Sequence, residues 1–278
     1  MSGVLRDDAL TGRVVLVTGG GTGIGRATAL ACAEAGADIV LCGRRPEPLD
    51  AVAKLVADTG RHAVPIPCDV REPDQVTALV RRSIEAFGHI DVLVNGAGGQ
   101  FLAPAEEISV NGWRAVHRLG VEAAWSVTRE VAVASMIPRR TGVVVFIAFS
   151  PRRGIPGMVH ATAARAAVEN LAAGLSLEWS RYGIRTLAVA PGTILTDGLR
   201  DQYPPDAIEE WTRAVPLGRL GTPEEIGAVI AFLATPAASY LTGTTVVVDG
   251  GVDAWGAGRP APTRPAPTRP APTLEASP

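Results

Sequence analysis

The chain has 278 residues, 47% of them hydrophobic, and a formal net charge of −2. That is apolar material for one large domain or two small ones, and the near-neutral balance excludes a strongly basic surface for nucleic acid or anionic membrane. Cys32, Cys42 and Cys68 stand far apart with no CxxC spacing, which excludes a disulfide framework and a zinc site and predicts reduced thiols.

Residues 1–13 are polar, and no run approaches the ~20 apolar residues that span a bilayer. The expectation is a soluble, cytoplasmic protein with no membrane partner and no metal. Seven strands are predicted, at residues 14–17, 38–42, 62–66, 90–94, 143–148, 185–190 and 245–248. Most are continuously apolar, as strands covered on both faces must be. Helical patterns lie between them. In residues 75–87, Val76, Leu79, Val80, Ile84 and Phe87 share one helical face. Thr222-Pro223-Glu224-Glu225 reads as a capping box with proline at the first helical position, opening a helix through Leu233. The alternation predicts an α/β fold, a Rossmann-type doubly wound parallel sheet in a single domain within residues 1–256. Residues 257–278 differ: Arg-Pro-Ala-Pro-Thr occurs three times from Arg259. A proline-rich tract of this kind builds neither helix nor core, so a disordered tail is expected.

The most informative stretch is Val14-Val15-Leu16-Val17-Thr18-Gly19-Gly20-Gly21-Thr22-Gly23-Ile24-Gly25. An apolar strand ends in a glycine-rich turn and a helix follows. Glycine supplies positive φ and close backbone approach, and the helix N-terminus offers free N–H groups to a pyrophosphate. The bland alternative is a tight strand-to-helix turn with no ligand. The repeated strand–helix pattern favours a dinucleotide site. At the tip of the second strand, Cys42-Gly43-Arg44-Arg45 carries no carboxylate for a ribose 2′-OH and two arginines that suit a 2′-phosphate. NADP(H) is therefore expected over NAD(H). Asp69-Val70 follows the third strand, where the carboxylate suits the adenine amino group. Asn95-Gly96 follows the fourth, where small residues let a flat cofactor lie and Asn95 can pin the backbone.

With these motifs in order, the sequence resembles the short-chain dehydrogenase/reductase superfamily. The resemblance rests on Thr18-Gly-x-x-x-Gly-Ile-Gly25, Asp69-Val70, Asn95-x-Ala-Gly98, Pro191-Gly192-Thr193-Ile194 and Thr242-Gly-x-x-x-x-Val-Asp-Gly-Gly251. It covers about residues 10–252. It implies nicotinamide cofactor binding, with Thr18, Gly19, Gly23, Ile24 and Gly25 at the pyrophosphate turn and Pro191, Gly192, Ile194 and Thr196 near the nicotinamide. A homotetramer is the assembly it implies.

The superfamily's usual serine, tyrosine, lysine and asparagine fall at Ala148 or Phe149, Ala161, Arg165 and Gly120. All four groups are missing. The stretch from Gly98 to Glu106, Ile108-Ser109, Gly112-Trp113, Val159-His160 to Leu171 and Ser239-Tyr240 to Gly243 is similar to the peroxisomal trans-2-enoyl-CoA reductase branch and its citronellol dehydrogenase-like relatives. That branch also has arginine in the lysine place. The tyrosine proposed there as proton acceptor falls at Glu169. An enoyl thioester asks for a hydride at its β-carbon and stabilisation of charge on its oxygen. Ser150, Thr162 and Arg165 are the catalytic candidates. Ser150 or Thr162 could donate to that oxygen, with Ser150 preferred, and Arg165 could hold the cofactor ribose. Glu169, four residues on, is expected to pair with Arg165, with an acid/base role as the alternative. His160 reads as a hydrogen-bonded structural histidine at a helix start, with catalysis as the alternative. Arg152-Arg153 could attract coenzyme A phosphates or form a solvated loop. Gln100, Phe101 and Trp113 could line an acyl pocket, and residues 199–211 suit a mobile lid.

Three readings follow. The first is an NADPH-dependent reductase of an α,β-unsaturated acyl thioester or enone, with a coenzyme A thioester among the candidate small-molecule substrates. The second is a catalytically silent NADP-binding scaffold. The third is a non-redox cyclase or isomerase on the same fold.

Overall fold

The computed structural model describes residues 5–150 and 154–255. Arg152, Arg153 and the Arg-Pro-Ala-Pro-Thr tail lie outside the described residues. The elements alternate from β1 (Val14–Thr18), α1 (Gly23–Glu34), β2 (Asp38–Gly43), α2 (Pro46–Ala57), β3 (Ala63–Pro67) and α3 (Pro73–Phe87) to β4 (Val92–Asn95). A rod then runs through α4 (Val110–His117), a π-helical turn (Arg118–Glu122), α5 (Ala123–Val131), a second π-helical turn (Ala132–Met136) and α6 (Ile137–Arg139). After β5 (Gly142–Ile147) come α7 (Val159–Trp179), β6 (Ile184–Pro191), α8 (Asp197–Gln202), α9 (Pro205–Ala214), α10 (Pro223–Ala234), β7 (Thr245–Val248) and α11 (Val252–Trp255).

The strands form one parallel sheet in the order β3-β2-β1-β4-β5-β6-β7. A single register row crosses it through Val64, Val40, Leu16, Leu93, Val144 and Thr186. Because side chains alternate along a strand, each apolar strand feeds two layers. Val14 and Leu16 join a core with Leu79, Val127, Val168 and Trp179. Val15 and Val17 join the opposite core with Cys32, Val52, Ile226 and Ile230. This is why the strands read as unbroken apolar runs.

The capping box is present: the Thr222 side chain accepts from the Glu225 N–H, and Glu225 reaches back to the Thr222 N–H. Two strand starts move inward from their sequence positions. The His62 N–H is donated to the Asp38 carboxylate while its carbonyl still accepts from the Ile39 N–H of β2, and both the N–H and the carbonyl of Ile90 are taken by Ser135 Oγ. Residues 199–211 fold largely as α8 and α9, with the Tyr203 and Trp211 rings edge-to-face at 4.9 Å.

Chain order reverses between β1 and β4, so the sheet opens a crevice at its C-terminal edge there. The opposite edge is locked by Asp91. Its carboxylate, 1% exposed, accepts from the Val14 N–H at 2.9 Å, from Arg139 at 3.0 Å and from Arg13 at 3.2 Å, with His89 Nε2 at 2.9 Å. Removing one partner of a buried pair typically costs 3–5 kcal/mol. Arg13 and Arg139 are 38% and 37% exposed and stay hydrated, which lowers the cost. Asp91→Ala should reduce unfolding free energy by about 2–4 kcal/mol in urea titrations. Ligand affinity at the far edge should not change.

Candidate functional site

The crevice has a volume of about 550 Å³ and is built from successive strand exits. The turn after β1 contributes Gly19, Gly23, Ile24 and Gly25. The exits of β2 and β3 contribute Arg44 and Arg45, then Asp69 and Val70. From the β4 exit come Gly96, Ala97, Gly98 and Gln100, with Leu119, Ile147 and Arg165 beyond them and Thr196, Asp197 and Asp201 closing the far wall. Eleven sequence-predicted residues thus meet in one space: Gly19, Gly23, Ile24, Gly25, Arg44, Arg45, Asp69, Val70, Gly96, Arg165 and Thr196.

The turn depends on missing side chains. Gly19 and Gly23 hold φ of 71° and 51°, in the left-handed region that favours glycine. A Cβ on Gly25 would stand 2.1 Å from the Gly19 carbonyl oxygen, and one on Gly96 would stand 2.7 Å from that of Thr18. α1 begins at Gly23 with no side-chain cap and no acidic residue in its first turn. Its first N–H groups are therefore free to face an anion.

Other predicted residues support the crevice from behind. The Thr18 hydroxyl accepts the Gly96 and Ala97 N–H groups, each at 3.1 Å, and so ties the β1 exit to the β4 exit. Asn95 does not pin the backbone as expected. It is buried, and its amide donates to Thr128 Oγ1 at 2.9 Å, holding α5 to the sheet. Pro191 ends β6, and a Cβ on Gly192 would stand 2.8 Å from Asp249. Ile194 is buried and bridges to Gly221.

The catalytic candidates separate. Ser150 is 2% exposed, and its hydroxyl donates to the Asp249 carboxylate. It is absent from the crevice lining, contrary to the expected oxygen-stabilising position, because the VDG turn that carries Asp249 packs against it. Thr162 also differs from expectation: its hydroxyl donates to the Met158 and Val159 carbonyls at 3.2 Å, as hydroxyls in a helix's first turn often do. Arg165 does line the crevice. Its guanidinium donates to the Ile147 carbonyl at 2.6 Å and lies over Gly98, where a Cβ would stand 2.2 Å from it. The expected ion pair with Glu169 is not formed. Glu169 instead accepts from the Thr245 hydroxyl at 2.8 Å, and Arg165 has no carboxylate partner among the described residues. Burial pulls Arg165 down to about 10, so it remains a cation at neutral pH.

At the other end, Arg44 and Arg45 are exposed and make no ion pair among the described residues. Asp69 is less free than the sequence implied, since Arg71 holds its carboxylate through both side-chain and backbone N–H donors. Those hydrogen bonds lower it to about 2. His160 differs most from expectation. It is fully buried, yet neither ring nitrogen has a hydrogen-bond partner among the described residues.

Sequence reading missed Gly98 as the seat of Arg165, because a glycine within Asn95-Gly-Ala-Gly-Gly reads only as turn. It also missed Asp197, Asp201 and the lining thiols Cys42 and Cys68, whose approach depends on tertiary geometry.

A family model described as enoyl-(acyl carrier protein) reductase matches residues 19–253. The chain belongs to the short-chain dehydrogenase/reductase family. It is similar to a probable 2,4-dienoyl-CoA reductase of Bacillus subtilis, 37% identical over 243 residues, covering 86% of this chain and 96% of that one. Among solved structures it is similar to the citronellol catabolism dehydrogenase of Pseudomonas aeruginosa, with 36% identity and a TM-score of 0.81 over 91% of this chain and all of that one. A structure from Beutenbergia cavernae, assigned as an NAD(P)-dependent gluconate 5-dehydrogenase with bound NADP at low occupancy, is 35% identical with a TM-score of 0.83. It covers 89% of this chain and 99% of that one.

The depressed Asp69 carboxyl gives a signed pH effect. A carboxylate whose folded value lies below its unfolded value of 3.8 stabilises the fold above 3.8, and that contribution is lost as pH falls toward about 2. Arg71→Ala should move the Asp69 titration from about 2 back toward 3.8, read by carboxyl-carbon NMR.

Proposed function

We propose that this protein is an NADPH-dependent reductase of α,β-unsaturated acyl thioesters, with 2,4-dienoyl- and trans-2-enoyl-coenzyme A as the substrate class. The observation that carries the reading is Arg165, a half-buried cation lining the crevice with no carboxylate partner among the described residues. Reduction of an unsaturated thioester builds negative charge on the thioester oxygen. A fixed positive group in a water-poor site favours that charge without reorganising. The names of the B. subtilis relative and of the family model point to the same chemistry.

The crevice residues fit a nicotinamide dinucleotide phosphate. The glycine turn and the uncapped first turn of α1 would hold the diphosphate. Arg44 and Arg45 would hold the 2′-phosphate, and β2 ends on Gly43 with no carboxylate to repel it. Val70 and Asp69 would border the adenine, while Arg165, Thr196 and Gly98 would face the nicotinamide end. When bound, the cofactor supplies the hydride. Arg165 orients and balances charge but cannot act as a base, since guanidinium stays protonated.

A silent, cofactor-holding role is favoured by one observation, the commitment of the Ser150 hydroxyl to Asp249 where a catalytic serine is expected nearby. Turnover decides between the two readings. NADPH oxidation should accompany formation of the singly reduced acyl-CoA when dienoyl- or enoyl-CoA is added, with products identified by mass. Bound NADPH that is never consumed would instead assign the silent role. Conversion of substrate without cofactor loss would assign a non-redox one.

Two substitutions test the residue roles. Arg165→Ala should lower turnover ~10²-fold or more, and Arg165→Lys should restore part of it; unchanged turnover in the alanine variant would remove the arginine from the reaction. Replacing Arg44 and Arg45 together by alanine should weaken NADPH far more than NADH in fluorescence titrations. An equal loss for both cofactors would overturn the 2′-phosphate assignment.

A further inference from the structure

His160 is the second residue of α7, and its side chain is fully buried with both ring nitrogens unpartnered among the described residues. Apart from Arg61 Nε, on a part-exposed side chain, no other buried side-chain polar atom among the described residues lacks a partner. Ser83 and Thr186 donate to the Leu79 and Ala172 carbonyls, Ser135 to that of Ile90, and Thr128 accepts from Asn95. An unpartnered buried polar ring costs stability, and a helix could place a phenylalanine there without that cost. The surroundings are apolar in character: Met158, just before α7, and Ala161 and Ala164 in its first turns form a small cluster with Val116. The Phe101 ring lies 4.2 Å from the imidazole, tilted by 33°.

The residues around this ring are close in sequence to those lining the crevice. Phe101 directly follows Gln100, which lines it, and His117, whose charge acts on His160, stands two residues before lining residue Leu119. Ala164, one helical turn after His160, faces Gly120, where an added Cβ would meet it at 3.7 Å. Ala161, one turn before Arg165 on the same face, offers no polar atom. Of the other donors considered for the substrate oxygen, the Ser150 hydroxyl is bound to Asp249 and that of Thr162 to helix carbonyls. The imidazole alone among these three has its donor unspent.

We propose that His160 is the hydrogen-bond donor for the thioester carbonyl oxygen of the acyl substrate, reached when the acyl group displaces the Phe101 ring; this role rests on the reductase reading above. Burial, and then His117, push the imidazole below its ordinary value. The ring is therefore neutral near pH 7, with one N–H donor and one acceptor nitrogen. It donates a hydrogen bond that tightens as charge builds on the oxygen and transfers no proton, so its own charge does not change through the reaction.

The test compares wild type, His160→Phe and His160→Gln as full-length protein with NADPH and 2,4-dienoyl-CoA. His160→Phe keeps the ring and removes both nitrogens. It should leave the NADPH dissociation constant within twofold, leave Tm unchanged or raised, and lower kcat ~10²-fold. His160→Gln, which keeps an N–H, should recover part of kcat. Raman spectra of bound acyl-CoA should show the thioester C=O stretch at lower frequency on wild type than on His160→Phe. An unaltered kcat and an unaltered C=O stretch in His160→Phe would overturn the assignment. So would a fall in Tm matched by loss of NADPH binding, which would make the nitrogens part of the fold. Failure of wild type to oxidise NADPH with any unsaturated thioester would sink the reductase reading instead. The C=O stretch of the bound thioester would still decide whether His160 meets the carbonyl.

Discussion

The site depends on how closely the chain leaves β1 beside β4. A Cβ on Gly19 would stand 3.0 Å from the Gly96 backbone, and one on Gly96 would stand 2.7 Å from the Thr18 carbonyl oxygen. The Thr18 hydroxyl then accepts both N–H groups that follow Asn95. This backbone contact turns two neighbouring strand exits into one floor. It aims the start of α1 across the switch point of the sheet and brings Gly98 to where Arg165 can lie over it. α10 reinforces the arrangement from outside, since Gly227 packs against α1 so closely that a Cβ would stand 2.7 Å from the Ala27 carbonyl. Bulk at any of these glycines would move the whole wall rather than one side chain.

Most of the fold was legible because its signals are local. Unbroken apolar runs bounded by turns mark strands buried on both faces, and the Thr222–Glu225 box marks a helix start through hydrogen bonds within four residues. The misplaced strand starts are instructive. Ile90 is apolar and follows the pattern, but its N–H belongs to Ser135, a residue 45 positions away. The cofactor side of the crevice was legible for a similar reason, as each group there follows a strand exit that the sequence marks. The catalytic side was not. Ser150 and Thr162 sit where donors are wanted, yet a hydroxyl's availability is decided by neighbours that spacing does not reveal: Asp249 is 99 positions from Ser150. Arg165 and Glu169 have the spacing of a helical ion pair, but the Ile147 carbonyl and Gly98 offered the guanidinium a half-buried seat across the helix–sheet boundary. A pair on an exposed helix surface is worth only ~0.2–0.5 kcal/mol, so a position with a charge-assisted hydrogen bond to the sheet wins.

The two edges of the sheet treat charge in opposite ways. At the edge where strands begin, Asp91 gathers Arg13, Arg139 and His89 around one buried carboxylate. Those charges are spent on joining β1, β4 and the end of the α4–α6 rod. At the edge where strands end, Arg165, Arg44 and Arg45 have no ion pairs among the described residues, and the free N–H groups at the start of α1 face the same space. Asp69 is the crevice carboxylate beside Arg44 and Arg45, and Arg71 occupies it. A cation partly withdrawn from water without a carboxylate partner is unfavourable in isolation. Keeping Arg165 so, while pairing charge fully at the other edge, is economical only if an anion or a developing negative charge completes the site.

The same reasoning bears on the loss of the four usual groups. Gly120 and Ala161, where the sequence comparison with the superfamily expects an asparagine and a tyrosine, are both buried and carry no hydrogen-bonding side chain. A ketone reductase needs a proton delivered to the carbonyl oxygen as hydride arrives, and neither position has a side chain that could deliver it. An unsaturated thioester delocalises the incoming charge over several atoms before any proton is needed, and the α-carbon can take its proton from water. What remains essential is a fixed electrostatic environment at the oxygen, which a cation and an unspent hydrogen-bond donor can supply without a phenol or an amine. On the reading proposed above, a crevice that holds a half-buried arginine with no carboxylate partner among the described residues meets the one demand that the more lenient substrate makes.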